Sequence, residues 1–247
     1  MPATDTFKHW SSLFLDFIFP RNCIWRETPV ETTSPFRYLG MEATRFLHVI
    51  EGATCTKCGA QLEGEAHRSH GCHHCLEDRF HFDRCSSAYR YNGPARALIQ
   101  TLKYQDGLFL QEDIRRLLER HSEFTDNLAG AVLVPVPVSP RRLEKRGFNQ
   151  AQLIVDSILR FRLPKTTTQP LLLRRDIKGS QTQLTRVERL KNVRRSFHLN
   201  PSALVDPEAR YVIVDDVLTT GATVNACAET LKKAGAKQVE VATICRG

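Results

Sequence analysis

The segment Tyr211 to Thr223, YVIVDDVLTTGAT, constrains the fold of this chain more than any other stretch. Tyr211 to Val214 is an unbroken apolar run that stops at Asp215 and Asp216, and a small, hydroxyl-rich segment then leads into a helical run from Val224 to Ala234. A strand covered on both faces can be apolar throughout, so strand, loop and helix in this order predict one unit of a buried parallel sheet. In open sheets of that kind ligands collect beyond the carboxyl ends of the strands. The acidic pair is therefore expected at the mouth of the sheet, where two adjacent carboxylates can accept hydrogen bonds from vicinal ribose hydroxyls. Thr219, Thr220, Gly221, Ala222 and Thr223 add hydroxyls and closely spaced backbone N–H groups at a helix N-terminus, which favours a phosphate. Taken singly, each piece also reads as an Asp-rich turn followed by a threonine cap. Their occurrence together, in a strand-loop-helix context, favours the ligand reading.

A chain of 247 residues suits one ordinary domain plus a small appendage, and its net charge of +8 makes a polyanionic partner plausible without naming one. Of the eight cysteines, four fall in two C-x-x-C pairs, Cys55/Cys58 and Cys72/Cys75, separated by a glycine-containing stretch. Two tight turns carrying four thiolates are what a tetrahedral zinc requires, and four protein ligands close the site, so the metal is expected to be structural. A redox pair or incidental core cysteines are the alternatives, and His67, His70, His73 and His74 crowd the second pair. The apolar stretch from Leu13 to Phe19 is interrupted by Asp16 and is too short to span a bilayer. A cytoplasmic protein without a transmembrane segment is expected.

Elsewhere the spacing predicts an amphipathic helix over 5–19, a helix from Phe36 to Ile50, a strand from Cys85 to Tyr91, and helices opening at Gly93-Pro94 and running from Leu108 to Arg120. Ala131 to Pro137 reads as a strand ending at the sheet mouth. The loop after it carries Arg141, Arg142, Lys145 and Arg146. Such a loop can hold pyrophosphate, or it can be a solvated charge run. A helix from Gln150 to Arg162, a strand from Pro170 to Leu173, and a helix capped by Thr185 and Glu188 that includes Arg189, Lys191, Arg194 and Arg195 follow. Phe197 to Leu199 and Val239 to Ile244 read as further strands. The alternation argues an α/β fold with a parallel, doubly wound sheet over 81–247, and a separate cysteine-bearing module over 1–80.

The YVIVDDVLTTGAT segment resembles the phosphoribosyl-pyrophosphate (PRPP) loop of type I phosphoribosyltransferases. With the cysteine pairs, Leu102-Lys103-Tyr104, PVPVSPRRLEKRGFNQAQL, and the segment from Gln181 to Asn192, the chain from Cys55 onward is similar to the ComF family of bacterial competence and DNA-utilisation proteins. The resemblance implies a type I phosphoribosyltransferase-like parallel sheet with an N-terminal zinc ribbon. It implies PRPP binding, with Mg²⁺, by Asp215 and Asp216 as the catalytic carboxylates, by Thr219 to Thr223 around the 5′-phosphate, and by Arg141 and Arg146 on the pyrophosphate. The implied setting is DNA uptake and natural transformation. The chain either transfers phosphoribosyl to an unspecified acceptor or handles single-stranded DNA without catalysis, alongside the uptake machinery. Family members often carry a first ribbon whose C-x-x-C follows Phe-Pro; here Phe19-Pro20 and Cys23 match, but Arg26 replaces the second cysteine, so the first half of the module is degenerate. Lys178 stands where the family usually holds threonine.

Overall fold

The computed structural model describes residues 21–62, 72, 75, 80–104, 107–176 and 192–247. The helix expected over 5–19 and the capping box at Thr185 and Glu188 lie outside these residues. Strands β1 (Arg84–Arg90), β2 (Val132–Pro135), β3 (Thr167–Thr168), β6 (Arg210–Leu218) and β7 (Gln238–Arg246) form one sheet in the order β1-β7-β6-β2-β3. Every pairing in it is parallel.

Alternation along β6 divides the core into two layers. Val212 and Val214 face a layer built from α2 (Gly93–Tyr104), α3 (Gln111–Glu119) and α6 (Gln150–Leu159), and Tyr211 and Ile213 face α7 (Ala222–Lys233). Each helix turns its apolar stripe inward. Leu98, Ile99 and Leu102 of α2 and Ile114, Leu117 and Leu118 of α3 are fully buried. The side chain of Asn149 accepts the Ala151 N–H at 2.9 Å and starts α6.

From β2 the chain passes through α6 to β3 on one side, and from β6 it passes through α7 to β7 on the other, while β2 and β6 are neighbours. Connections leaving adjacent strands in opposite directions open a crevice at the strands' carboxyl ends.

Three expectations are corrected. The strand expected from Tyr211 to Asp215 continues to Leu218, because Asp215, Val217 and Leu218 keep pairing with Thr243, Cys245 and Arg246 of β7. The strands expected at 170–173 and 197–199 do not join the parallel sheet: β4 (Leu172–Arg174) and β5 (Phe197–Leu199) form a separate antiparallel ribbon. Of the helix expected over 36–50, only α1 (Met41–Arg45) forms. The chain before it is drawn onto α3 by the fully buried Asp113, whose carboxylate accepts the N–H groups of Arg37 (2.6 Å) and Tyr38 (3.0 Å).

The segments 21–30 and 53–62 repeat one turn. The N–H of Cys23 donates to Thr28 O at 2.7 Å, and that of Cys55 to Ala60 O at 2.8 Å. Glu27 donates back to Cys23 O and Gly59 to Cys55 O, with φ of 59° and 68° respectively. The second turn carries Cys58. In the first, Arg26 lies 4.1 Å from the Trp25 ring centroid and pairs with Glu42 at 3.3 Å, while Cys23 is buried among Phe36, Leu39 and Ala43. A cation stacked on an indole thus takes the position a second thiolate would need.

Candidate functional site

A cleft of about 460 Å³ opens at the crevice between β2 and β6. Its floor is Asp215, Asp216 and Val217, and its β2 wall is Val136, Pro137 and Val138. The strand direction is held past β2 by Val136 N–H donating to Val214 O at 2.9 Å, and Asn149 Nδ2 donates to Val136 O at 3.0 Å.

The acidic pair is buried, with Asp215 7% and Asp216 2% exposed. Asp215 Oδ1 accepts the Asp216 N–H (2.9 Å) and Asp216 Oδ1 accepts the Val217 N–H (2.8 Å), which fixes both carboxylates against the backbone. Burial, and then the charge of Asp216, raise the pKa of Asp215. Lys103, at the end of α2, places Nζ 2.8 Å from Asp216 Oδ2. Burial pulls the Lys103 ammonium down, but Asp216 and then Asp215 outweigh it and hold its pKa above the ordinary value.

The basic segment expected as a loop is a short helix, α5 (Pro140–Arg146), opened by proline and ended by Gly147 in the left-handed region. Its Arg142, Lys145 and Arg146 line the cleft. Arg141 is not among the lining residues, and its backbone N–H donates to Asp176 Oδ2 at 3.3 Å. Arg146 donates to Gln150 Oε1, and burial lowers its pKa. Arg174 of β4 lies 5.0 Å from the Phe197 ring centroid of β5, so the antiparallel ribbon delivers a further cation to the cleft.

Thr219 and Thr223 line the cleft, with Thr220, Gly221 and Ala222 in the turn between them. Gly221 is the N-cap of α7 at φ 76°, and no side chain caps it. Thr220 Oγ1 accepts the Ala222 N–H at 3.4 Å. Arg246 Nη1 donates to Thr219 O at 2.9 Å and to Leu218 O at 3.2 Å, fixing the carbonyl side of the turn. A helix N-terminus built this way presents N–H groups to an anion.

Sequence reasoning singled out the acidic pair, the threonine turn and the basic segment. It assigned no site role to Lys103, Arg174, Tyr91 or Tyr104, all of which line the cleft. The ordinary course of a helix after a strand, back toward the strand's amino end, gave no signal for Lys103, whereas α2 ends at the cleft.

The Sγ atoms of Cys55, Cys58, Cys72 and Cys75 lie within 4.8 Å of one another, with Cys55 to Cys75 at 3.7 Å and Cys58 to Cys72 at 3.6 Å. Zn–S bonds of about 2.3 Å in a tetrahedron require sulfurs about 3.8 Å apart, so the four thiols fit zinc. The spacing is far from the roughly 2 Å of a disulfide. Burial and the neighbouring sulfurs push the Cys75 thiol up, whereas at Cys55 burial is outweighed by the backbone N–H groups of Cys58 and Lys57. Among the described residues no other group of this kind forms, and Cys23 is not part of one.

A parallel sheet whose switch-point cleft carries an acidic pair and a glycine-threonine turn defines a phosphoribosyltransferase-type domain. The model of the phosphoribosyl transferase domain matches residues 173–247. Competence protein F of Haemophilus influenzae is 28% identical over 81% of this chain and 93% of its own length. The DNA utilization protein YhgH of Salmonella typhimurium is 31% identical over 78% of this chain and 83% of its own, and Competence protein ComFC of Bacillus subtilis is 26% identical over 90% and 89%. A hypoxanthine phosphoribosyltransferase from Staphylococcus aureus superposes with a TM-score of 0.35 at 15% identity, covering 54% of this chain and 62% of that one, too distant to bear on function. The chain belongs to the ComF family of competence and DNA-utilisation proteins. Among the described residues no helix is long and apolar enough to cross a membrane.

Proposed function

We propose that the cleft binds PRPP with Mg²⁺ and transfers its ribose 5-phosphate group to an acceptor, releasing pyrophosphate, within DNA uptake or utilisation in the cytoplasm. The observation that carries this reading is the convergence of three chemistries on one crevice. Asp215 and Asp216 face the vicinal hydroxyls, the turn Thr219 to Thr223 takes the 5′-phosphate, and Arg146, with Arg142, Lys145 and Arg174, meets the pyrophosphate. In this assignment Arg141 serves the pyrophosphate only by fixing the start of α5. Lys103, Arg142, Lys145, Arg146 and Arg174 outnumber the two carboxylates, as a strongly anionic ligand requires.

In the reaction the C1′–O bond to pyrophosphate breaks, the leaving group keeps the electron pair, and the acceptor forms the new bond to C1′ while losing its proton to solvent. The chain's own residues supply position and charge: cations stabilise the leaving group, carboxylates fix the sugar, and the helix N-terminus anchors the phosphate. Asp215 and Asp216, together with the substrate's phosphates, would offer the oxygen donors that Mg²⁺ favours, and the ion would supply partial neutralisation of the diphosphate charge.

Isothermal titration of PRPP with Mg²⁺ against the wild type and the Asp215→Asn/Asp216→Asn variant tests the reading. Binding by the wild type and its loss in the variant is expected; equal affinity in both, or binding to neither, overturns it. The names of the relatives and the cationic wall favour one rival, a non-catalytic site for single-stranded DNA. Oligonucleotide binding that weakens steeply with salt and is displaced by PRPP would put both ligands at this cleft. Displacement without any turnover of PRPP would favour the rival.

A further inference from the structure

Resting on the PRPP reading, we infer that the strap of residues 80–83 is the positioning element of the 5′-phosphate site: laid along the outside of α7, it holds the helix's N-terminal turn in place, and the cysteine turn anchors it. The need for such an element lies in the turn itself. Gly221 is the N-cap of α7 at φ 76°, and no side chain caps the helix. Glycine has the most conformational freedom to lose, so its orientation is best fixed from outside the turn. Phe80 supplies this contact. Its half-buried ring covers Gly221 so closely that a Cβ there would stand 3.2 Å from Phe80 Cε1. One residue on, the His81 N–H donates to Asn225 Oδ1 at 2.6 Å, and the Asn225 N–H in turn donates to Gly221 O at 2.8 Å. His81 Nε2 lies 4.0 Å from Glu229 Oε2. Asp83 Oδ2 accepts Lys232 Nζ at 2.7 Å and the Val239 N–H at 2.8 Å. Gly221, Asn225, Glu229 and Lys232 follow one another at helical spacings of four, four and three residues, which places them on one stripe of α7. The strap therefore follows the helix nearly from end to end.

The strap is itself held by the cysteine turn. Phe80 stacks on Phe82 with ring centroids 4.7 Å apart and 22° between the planes, and Phe82 is fully buried. Lys57, between Cys55 and Cys58, donates from Nζ to Phe82 O, and the same Nζ lies 5.6 Å from the Phe82 ring centroid. The turn is also seated on β1. The Cys85 N–H donates to Thr56 O at 3.4 Å, and a Cβ on Gly59 would stand 3.0 Å from Cys85 O. Lys57 reaches the strap from within the C-x-x-C turn, and four thiolates around a zinc hold such a turn in shape. A continuous set of contacts thus runs from the cysteines through Lys57, Phe82 and Phe80 to the turn that presents N–H groups to the phosphate. Arg142, Lys145 and Arg146 stand on α5, on the β2 side of the cleft, outside this set.

The test is calorimetric titration of ribose 5-phosphate against the full chain for the wild type, Phe80→Ala, Phe80→Leu and Lys57→Met. Each is measured zinc-loaded and after zinc removal by chelation, with thermal unfolding and zinc content followed throughout. Phe80→Ala frees Gly221, and losing one charge-assisted hydrogen bond to the phosphate should weaken binding about ten-fold or more. Phe80→Leu, which keeps bulk over Gly221, should retain most of the affinity. Lys57→Met should weaken binding with its zinc content unchanged. Zinc removal should weaken binding by the wild type and add little to the loss in Phe80→Ala, because perturbations acting through one contact are not additive. Affinity of Phe80→Ala or Lys57→Met equal to wild type overturns the inference while ribose 5-phosphate binding itself stands. An equal loss on zinc removal in the wild type and in Phe80→Ala overturns it as well. If the wild type unfolds without zinc, or Phe80→Ala fails to fold, zinc-loaded Lys57→Met decides: weakened binding supports the inference, and unchanged affinity overturns it. No binding by the wild type removes the functional reading instead, and this inference with it.

Discussion

Gly221 lies where the threonine turn, α7 and the strap that follows the cysteine cluster meet, and replacing it with alanine probes all three. Its φ is 76°. An L-residue held in the left-handed region costs about 1–2 kcal/mol. A Cβ at this position would also stand 3.2 Å from Phe80 Cε1 and 3.7 Å from Leu218 Cδ1. Phe80 cannot yield freely, because it stacks on Phe82 at 4.7 Å and Phe82 is fully buried. Strain and crowding together come to about 2 kcal/mol, and for a chain of this size that lowers Tm by roughly 4–8 °C. If the turn instead relaxes to negative φ, the N–H groups of Ala222 and Thr223 swing away from a bound phosphate. Losing one charge-assisted hydrogen bond of about 1.5–3 kcal/mol weakens ribose 5-phosphate binding roughly ten-fold or more. Thermal unfolding and calorimetric titration of ribose 5-phosphate read the two effects separately. Gly221→Asn, which tolerates the left-handed region, should recover stability in part. An unchanged Tm in Gly221→Ala refutes the strain argument. A lowered Tm with undiminished phosphate affinity means that the turn keeps its positive φ under strain.

Asp113→Asn should cost about 1–3 kcal/mol near pH 4, because an amide oxygen replaces only one of the two carboxyl oxygens that accept the Arg37 and Tyr38 N–H groups, and the cost should shrink as pH rises. Burial pushes the Asp113 carboxyl up to about 6, so its favourable contribution to stability is complete below the ordinary carboxylate pKa and is lost as pH rises through about 6. The wild type should therefore lose stability relative to Asp113→Asn between about pH 4 and 6, and a difference constant over that range contradicts the assignment. Elemental analysis should find about one zinc per chain, and Cys58→Ser should release it and expose residues 53–62 to protease while 81–247 remains folded. Two zincs would assign a metal role to Cys23, and unchanged proteolysis after zinc loss would deny the metal its structural role.

Parts of this architecture were legible because one local signal decided them. An apolar run covered on both faces could only be an interior strand, and β6 is one. Its end was misplaced because charge was read as the end of pairing, yet a strand's backbone can continue its ladder while its side chains turn into a cleft. β4 and β5 illustrate a different limit. Three-residue strands carry the same alternation whether they join a parallel sheet or pair with each other, and their partner is set by residues distant in sequence. The helix expected from Phe36 had periodicity in its favour, but Asp113, far along the chain, captures two of its N–H groups before Gly40 allows α1 to start.

The basic segment shows how one wrong local assignment carries into a site. Read as a loop, 139–150 has no face, so Arg141 and Arg142 are equivalent and either can be assigned to the pyrophosphate. Read as the helix it is, Arg142, Lys145 and Arg146 stand at i, i+3 and i+4 on one face, and Arg141 is rotated about 100° from Arg142. That spacing matches the three residues of α5 that line the cleft. The signals for the helix were present in Pro140 at its first turn and Gly147 after its last, the usual order of a short capped helix. Helical phase, more than the number of charges, therefore selects which cations face the cleft, and it separates a cleft-lining face from a solvated run of the same composition.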